Sequence, residues 1–149
     1  MVVGMRLGLE VLGTDLDPDG EGGRGHTHFA PPGPWFRPRA GHLKARERDL
    51  VERVITTFMA GFAAEVRLGA ADPDGSGYDV DRTLREWVAY LEPVAARRPA
   101  LAQRFLARAV AELEAPGCWR AVEDVAAALL RQGRLSEMQA RDVVEPTPH

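Results

Sequence analysis

The spacing of apolar residues along the chain changes at His42. From there to residue 144 apolar side chains recur three or four positions apart, which is the period of an amphipathic α-helix. The first stripe runs from Leu50 to Val66, and we expect Gly69 to end it, because glycine readily adopts the left-handed conformation that closes a helix. Further stripes begin near Asp79 or Asp81, at Pro99, at Trp119 and after Leu135. The pattern predicts a helical array over residues 42–144.

The last of these five helices has a recognisable start. Ser136 is followed three positions later by Gln139, and each side chain of such a pair can satisfy a backbone N–H that the helix leaves unbonded. The short tail, residues 145–149, contains two prolines and is expected to fray.

Residues 1–41 have a different character. They are rich in glycine and proline, which disfavour a regular helix. Extended segments are expected at Leu9–Leu16 and His26–Phe29, since apolar and polar residues partly alternate in the first of them. The predicted fold class is therefore α+β, dominated by about five helices after a small β segment. We expect one domain over residues 1–149, as the length suggests.

The composition and charge of the chain argue against several classes of protein. The formal net charge of −3 argues against a nucleic-acid partner, because a nucleic-acid binder usually carries a strongly basic face. Cys118 is the sole cysteine, which excludes an internal disulfide and a multi-cysteine zinc site. No window is apolar enough for a membrane helix, and the first residues lack a signal-peptide pattern. We therefore expect a cytoplasmic protein with no membrane association.

One loop carries the carboxylates of a possible calcium site. In residues 72–83, Asp72, Asp74 and Ser76 match the first three ligand positions of a calcium-binding helix–loop–helix. Position 12, however, is Thr83 rather than the usual bidentate glutamate. Aspartate, glycine and serine also form turns without a metal, so a plain polar turn is the favoured interpretation. The run at residues 15–20 opens in the same way and is interpreted likewise.

Two further candidates for chemistry are weaker. His26 and His28 are two positions apart, so in a strand both would lie on one face and could reach a metal. Two histidines are an incomplete ligand set, and the sequence contains no His-Glu-x-x-His motif. Cys118 falls at a predicted helix start, where a thiol pKa can be lowered, but burial as a small apolar side chain is favoured.

A resemblance to a known family emerges from residues 59–91. Here Met59-Ala-Gly-Phe-Ala-Ala-Glu65 leads through a glycine-rich loop to Gly77-Tyr-Asp-Val80. This order resembles the peptidase domain of the FtsH-type zinc proteases, and especially its small stand-alone bacterial relatives. Residues 119–144 are similar to the closing helices of that family. Together the similar segments cover most of residues 42–144.

The resemblance implies a fold, a metal and roles for particular residues. The small residues at 60, 61, 63 and 64 would let another backbone approach the helix closely. Asp79 would be the third zinc ligand, with Asp81 as the fallback, although either aspartate could equally be a helix cap. The strand His26, Thr27 and His28 would correspond to the strand that pairs with substrate. The implied cofactor is zinc, and the implied reaction is peptide hydrolysis.

The sequence also departs from the family. Its enzymes bind zinc through two histidines of a His-Glu-x-x-His helix, whose glutamate is the general base, and this chain begins Met1-Val2-Val3-Gly4 where that helix would be ending. Either the chain is a truncated form of an active protein, or it is a pseudo-peptidase that binds without cleaving. Coding DNA upstream of Met1 would separate the two. In both cases no catalytic residue is assigned in these 149 residues.

The expected function is therefore that of a metallopeptidase-like domain, inactive as it stands, with zinc or no metal bound. Its partner would be a peptide or protein. The alternative from a different class is a helical interaction module or calcium-binding module without catalysis. Zinc bound through Asp79 would support the first, and calcium dependent on Asp72 and Asp74 the second. An apolar patch left by the missing helix would favour self-association, which a monomer in light scattering would contradict.

Overall fold

The structure is a computed structural model that describes residues 1–16, 26–69 and 82–145. The chain divides into two compact units. Unit 1 combines Met1–Pro31 with Glu114–His149, and unit 2 is Pro32–Leu113.

Six helices and three strands follow one another in the described residues. They are α1 (Val2–Arg6), β1 (Val11–Asp15), β2 (His26–Phe29), α2 (Ala45–Arg67), α3 (Arg82–Leu91), α4 (Arg98–Glu114), α5 (Cys118–Gln132), β3 (Arg134–Ser136) and α6 (Glu137–Val144), with a 3-10 turn at Ala95–Arg97 before α4. The prediction of a predominantly helical α+β fold, with five helices after a small β segment, is confirmed.

Unit 1 is built on a three-stranded antiparallel sheet with β1 in the centre, in the order β2-β1-β3. Because β1 pairs with a strand on each side, each residue of β1 lies directly opposite one residue of β2 and one of β3. The side chains of the three residues in such a row lie on the same face of the sheet. Thr14 lies between Thr27 of β2 and Leu135 of β3. Thr14 and Leu135 are buried and Thr27 is half-buried, so this row forms the inner face. Helices α5 and α6 pack against the sheet, as a one-sided antiparallel sheet requires.

Small and branched side chains fill the interior of unit 1. Cys118 is fully buried at the start of α5, so its role as a small apolar side chain is confirmed. The other buried apolar residues of this unit are Val2, Val3, Val11, Ala121, Val125, Ala128, Leu135 and Ala140.

Unit 2 contains the long helix α2, which contacts α3. The centre of its apolar stripe, Val51 and Ile55, has no exposed surface. Gly69 follows the helix with a φ of +74°, so the predicted stop is confirmed. Pro93 lies just beyond the end of α3, and Pro99 lies in the first turn of α4, both as expected.

The structure departs from the sequence predictions at β3. The helix opening predicted at Leu135–Ser136 is confirmed, because Ser136 is the N-cap of α6. The sequence pattern did not predict that Arg134–Ser136 is also a strand paired with β1. A strand of three residues is too short to show an alternating pattern, and it forms here because β1 offers an unpaired edge. The first strand is also shorter than the predicted Leu9–Leu16.

The close backbone approach expected at Gly61 is not seen among the described residues. Gly61 is exposed, and within the described part of the chain nothing lies within 4 Å of the position that a Cβ would take. The buried small residues of this segment are Ala60 and Ala63. They lie on the α2 face that carries Met59 and Ile55, whereas Gly61 lies on the other side of the helix.

The cap of α6 makes a measurable prediction. Ser136 Oγ accepts the Gln139 N–H at 3.2 Å, and Gln139 Oε1 accepts the Ser136 N–H at 2.9 Å, which confirms the capping box. We expect Ser136→Ala to lower the free energy of unfolding by about 1 kcal/mol, the usual loss for a serine cap. Ser136→Thr keeps the hydroxyl and should lose much less. Urea denaturation of both variants measures the difference, and equal stability would show that the cap contributes nothing.

None of the helices in the described ranges has both the length and the hydropathy needed to cross a bilayer.

Candidate functional site

The sheet in unit 1 carries a depression of about 240 Å³, which we call the sheet-face depression. Its lining residues come from all three strands and from α6. They are Gly13, Thr14, Asp15, His28, Arg134, Leu135, Ser136 and Gln139.

The pairing of the strands explains why the depression lies there. Gly13 stands between His28 of β2 and Ser136 of β3, in the row next to the buried Thr14 row. Because Gly13 has no side chain, the centre of this row carries none, whereas the residues on both sides of it do. A β-bulge between Val11 and Gly13 shifts the register of β1 against β2, and bulges commonly redirect side chains near functional sites.

One wall of the depression is a hydrogen-bonded pair. His28 Nε2 lies 2.8 Å from Asp15 Oδ2, and the side chains are 56% and 23% exposed, respectively. Asp15 is also directly opposite Arg134 in the pairing of β1 with β3. A carboxylate that bonds one imidazole nitrogen fixes the orientation of the ring, so His28 presents a defined polar edge to solvent.

The opposite wall is formed by the start of α6. Ser136 Oγ is occupied in the cap of that helix, and Gln139 Nε2 donates to Gln132 Oε1 at 3.2 Å. The depression is thus lined by an imidazole, a carboxylate and amide groups already held in place by neighbours. Such a surface suits hydrogen bonding to a polar ligand.

Strand β2 lies at an end of the described sheet, and the alternation of its backbone shows which groups point outward. The Ala30 N–H donates to the Glu10 carbonyl at 2.9 Å, so this residue faces β1. Alternate residues of an antiparallel strand direct their N–H and C=O to the same side. His28 therefore faces β1, whereas Thr27 and Phe29 direct their backbone groups away from it. No described strand pairs with that outer edge.

The structure brings some of the predicted residues together and leaves others outside its description. His26 begins β2 opposite Asp15, and Thr27 Oγ1 lies 3.3 Å from Thr14 Oγ1 on the inner face. His28 lines the depression. Asp79 and Asp81, the predicted zinc ligand and its fallback, lie outside the described residues. So does most of the possible calcium loop at residues 72–83.

The described residues do not fit a zinc centre. In residues 1–16, 26–69 and 82–145 no three histidine, cysteine, aspartate or glutamate side chains come together as a metal site. His28 and Asp15 offer two donors, fewer than the three protein ligands of a catalytic zinc site. No chemical step is therefore assigned to a metal.

Sequence reasoning did not identify Asp15, Arg134 and Gln139 as neighbours of His28. Asp15 lies near the end of the first predicted extended segment, Leu9–Leu16, and this position could have suggested a partner for a histidine in an adjacent strand. Arg134 and Gln139 are remote in sequence from His28, so only the pairing of β3 with β1 brings them to the same face. We found no match for the chain among protein-family models, curated proteins or solved structures.

Proposed function

We propose that this chain is a peptide-binding domain of the FtsH-peptidase type, in which the outer edge of β2 pairs with an extended peptide. The observation that carries the proposal is the outward direction of the Thr27 and Phe29 backbone groups at an end of the described sheet. An edge strand with free N–H and C=O groups is a template for a further strand, and β-strand addition is a common mode of peptide recognition.

The order of elements supports the link to that family. A short helix precedes a β-hairpin, which is followed by the long helix α2 with the Ala-Gly-x-Ala-Ala-Glu segment and later by two closing helices. This is the order that the resemblance implies. The predicted substrate strand, His26–His28, falls on β2.

The sheet-face depression gives the proposed site a second component. A peptide on the outer edge of β2 would run beside His28, whose ring is held by Asp15. Side chains of a bound strand alternate between the two faces of the sheet. Every second peptide side chain would therefore lie on the face that carries the depression, where a hydrogen-bonding residue has partners.

Binding without hydrolysis is proposed for these 149 residues. They contain no His-Glu-x-x-His sequence, and the described side chains supply no three-ligand metal group. The family mechanism needs both the metal and the glutamate base. Peptide cleavage by this chain that depends on zinc and survives mutation of His26 and His28 would contradict this part of the proposal.

Proline at Thr27 tests the edge directly. The Thr27 N–H points away from β1, so Thr27→Pro removes a donor for the peptide without removing a bond of the hairpin, and edge strands tolerate proline at such positions. We expect Thr27→Pro to weaken binding of a fluorescein-labelled peptide of about ten alternating valine and threonine residues by about tenfold or more, because one backbone bond and the approach of the strand are lost. Fluorescence anisotropy measures the dissociation constants.

Thr27→Val is the matched control. It keeps the backbone N–H and removes only the hydroxyl that lies 3.3 Å from Thr14 Oγ1. Its affinity should stay within about twofold of the original, since the peptide pairs with the backbone. Equal affinity of the proline variant and the unchanged protein would reject the edge as the binding site, as would absence of binding by the unchanged protein.

A further inference from the structure

Unit 2 carries a dense group of exposed cations. Five of the chain's 19 lysines and arginines fall between residues 37 and 48, in a protein whose net charge is −3. All five side chains are exposed. We call this group the basic patch, and its members are Arg37, Arg39, Lys44, Arg46 and Arg48.

The one acidic residue within this segment is turned inward. Glu47 is 3% exposed. Its Oε2 accepts the Arg37 N–H and its Oε1 accepts the Lys44 N–H, each at 3.0 Å. The carboxylate therefore binds backbone groups inside the fold, and the charged side chains exposed on the surface of this segment are all cations. No carboxylate of the described residues forms an ion pair with any member of the basic patch; the neighbouring Asp49 pairs with Arg53.

The same hydrogen bonds fix the segment in one shape. Glu47 joins the backbone at Arg37 to the start of α2, and the His42 N–H donates to the Arg39 carbonyl at 2.9 Å. The Gly41 N–H donates to the Tyr90 carbonyl at 3.1 Å, which ties the loop to α3. A surface that is already ordered loses less conformational entropy when a ligand binds.

Aromatic rings lie beside the cations. The Arg46 guanidinium stands 3.9 Å from the centre of the Trp35 ring, and Trp35 is 36% exposed. Phe36 stacks on Trp87 with a centroid distance of 5.3 Å, and it meets Tyr90 edge to face. Exposed tryptophan next to arginine is the combination that interface hot spots favour.

We propose that the basic patch, together with Trp35, binds an acidic peptide segment of a partner protein. Charge complementarity selects an anion, and the rings give apolar side chains of a peptide a surface to contact. A long polyanion is disfavoured because the protein as a whole is negatively charged. Stacking of nucleotide bases is also disfavoured, because the guanidinium of Arg46 already covers one face of the Trp35 ring.

The test uses the full chain and a fluorescein-labelled peptide of alternating glutamate and leucine residues. The triple variant Arg37→Gln, Arg39→Gln and Arg48→Gln removes three exposed cations that make no described ion pair. We expect the dissociation constant of this variant to rise about tenfold, because it loses three exposed charge pairs with the peptide. The affinity of the unchanged protein should fall when salt is added, because salt screens exposed charges.

The matched control removes three exposed arginines elsewhere, with Arg85→Gln, Arg104→Gln and Arg131→Gln. It has the same net charge as the test variant, so a purely global charge effect would weaken both equally and would overturn the proposal. No binding by the unchanged protein would overturn it too. Tighter binding of single-stranded RNA or of vesicles of anionic lipid than of the peptide would reject a peptide as the occupant. Circular dichroism of each variant confirms that the helices are intact.

Discussion

Replacement of Glu47 by alanine should lower the free energy of unfolding by about 3 kcal/mol, one of the two largest effects that we expect from the structure. The buried carboxylate accepts two backbone N–H groups, from Arg37 and Lys44. Hydrogen bonds to a charged acceptor contribute about 1.5–3 kcal/mol each, and a buried donor left without a partner adds its own desolvation penalty. Some of the loss is recovered if water reaches the released groups.

Two further variants serve as comparisons for the stability of Glu47→Ala. Glu47→Gln keeps one oxygen acceptor but turns an amide NH₂ toward the other donor, so it should lose about 2 kcal/mol. Glu65→Ala removes an exposed carboxylate from the same helix and should stay within about 0.5 kcal/mol of the original. Urea denaturation followed by tryptophan fluorescence suits this measurement, because Trp35 and Trp87 both lie in unit 2. If Glu47→Ala behaves like Glu65→Ala, the carboxylate does not hold the loop.

Glu47→Ala also connects stability with binding. Without the carboxylate the loop at Arg37 is no longer joined to the start of α2, so the basic patch loses its fixed shape. We therefore expect weaker binding of the acidic peptide even under conditions where the variant is fully folded.

Gly13→Ala should destabilise unit 1 by about 3 kcal/mol. A Cβ at this position would lie 2.9 Å from the Leu135 carbonyl oxygen, and the φ of +156° is one that L side chains rarely adopt. Overpacking in a fixed environment costs about 1–3 kcal/mol and backbone strain a similar amount. The conflicting atom belongs to the backbone of β3, so relief requires the strands to separate. The variant should lose both β3 pairing and the shape of the sheet-face depression.

The same substitution at Gly61 is the control. Gly61 lies inside α2, and no described atom stands within 4 Å of its missing Cβ. Gly61→Ala should therefore stabilise the protein by about 0.5–1 kcal/mol, the usual difference between the two residues in a helix. Thermal denaturation gives both values. A neutral Gly13→Ala would show that β1 and β3 are not held at the distance observed, whereas a destabilised Gly61→Ala would point to a close neighbour of α2.

The helices were predictable because each repeats its own apolar spacing. Gly69 stands where the pattern placed the end of the first long helix, and Pro99 stands where it placed the start of a later one. The role of Glu47 was not predicted, because a glutamate near a helix start is ordinarily exposed. A signal was nevertheless present: Glu47 lies four positions before Val51 and eight before Ile55, on the buried face of α2.

Of the residues that line the candidate site, the sequence predicted only those of strand β2. Strand β2 follows from residues 26–29 alone. The pairing of β3 with β1 brings four further residues to the depression, and no local pattern in the sequence predicts that pairing. They are Arg134, Leu135, Ser136 and Gln139. Packing of the whole unit determines which distant segments come into contact. The spacing of apolar residues within one segment predicts the type of element but does not predict such contacts.

The pairing of β1 with β3 has a consequence for how the protein forms during synthesis. Unit 2 is one continuous stretch, Pro32–Leu113, whereas unit 1 is made from segments on both sides of it. The central strand of unit 1 leaves the ribosome before unit 2, but its partner Arg134–Ser136 emerges more than a hundred residues after it. Contacts that close such long loops form slowly. We therefore expect unit 2 to fold before β3 has been synthesised and can pair with β1. During that interval the edge of β1 that β3 later covers is unpaired, and it can pair with a strand of another chain.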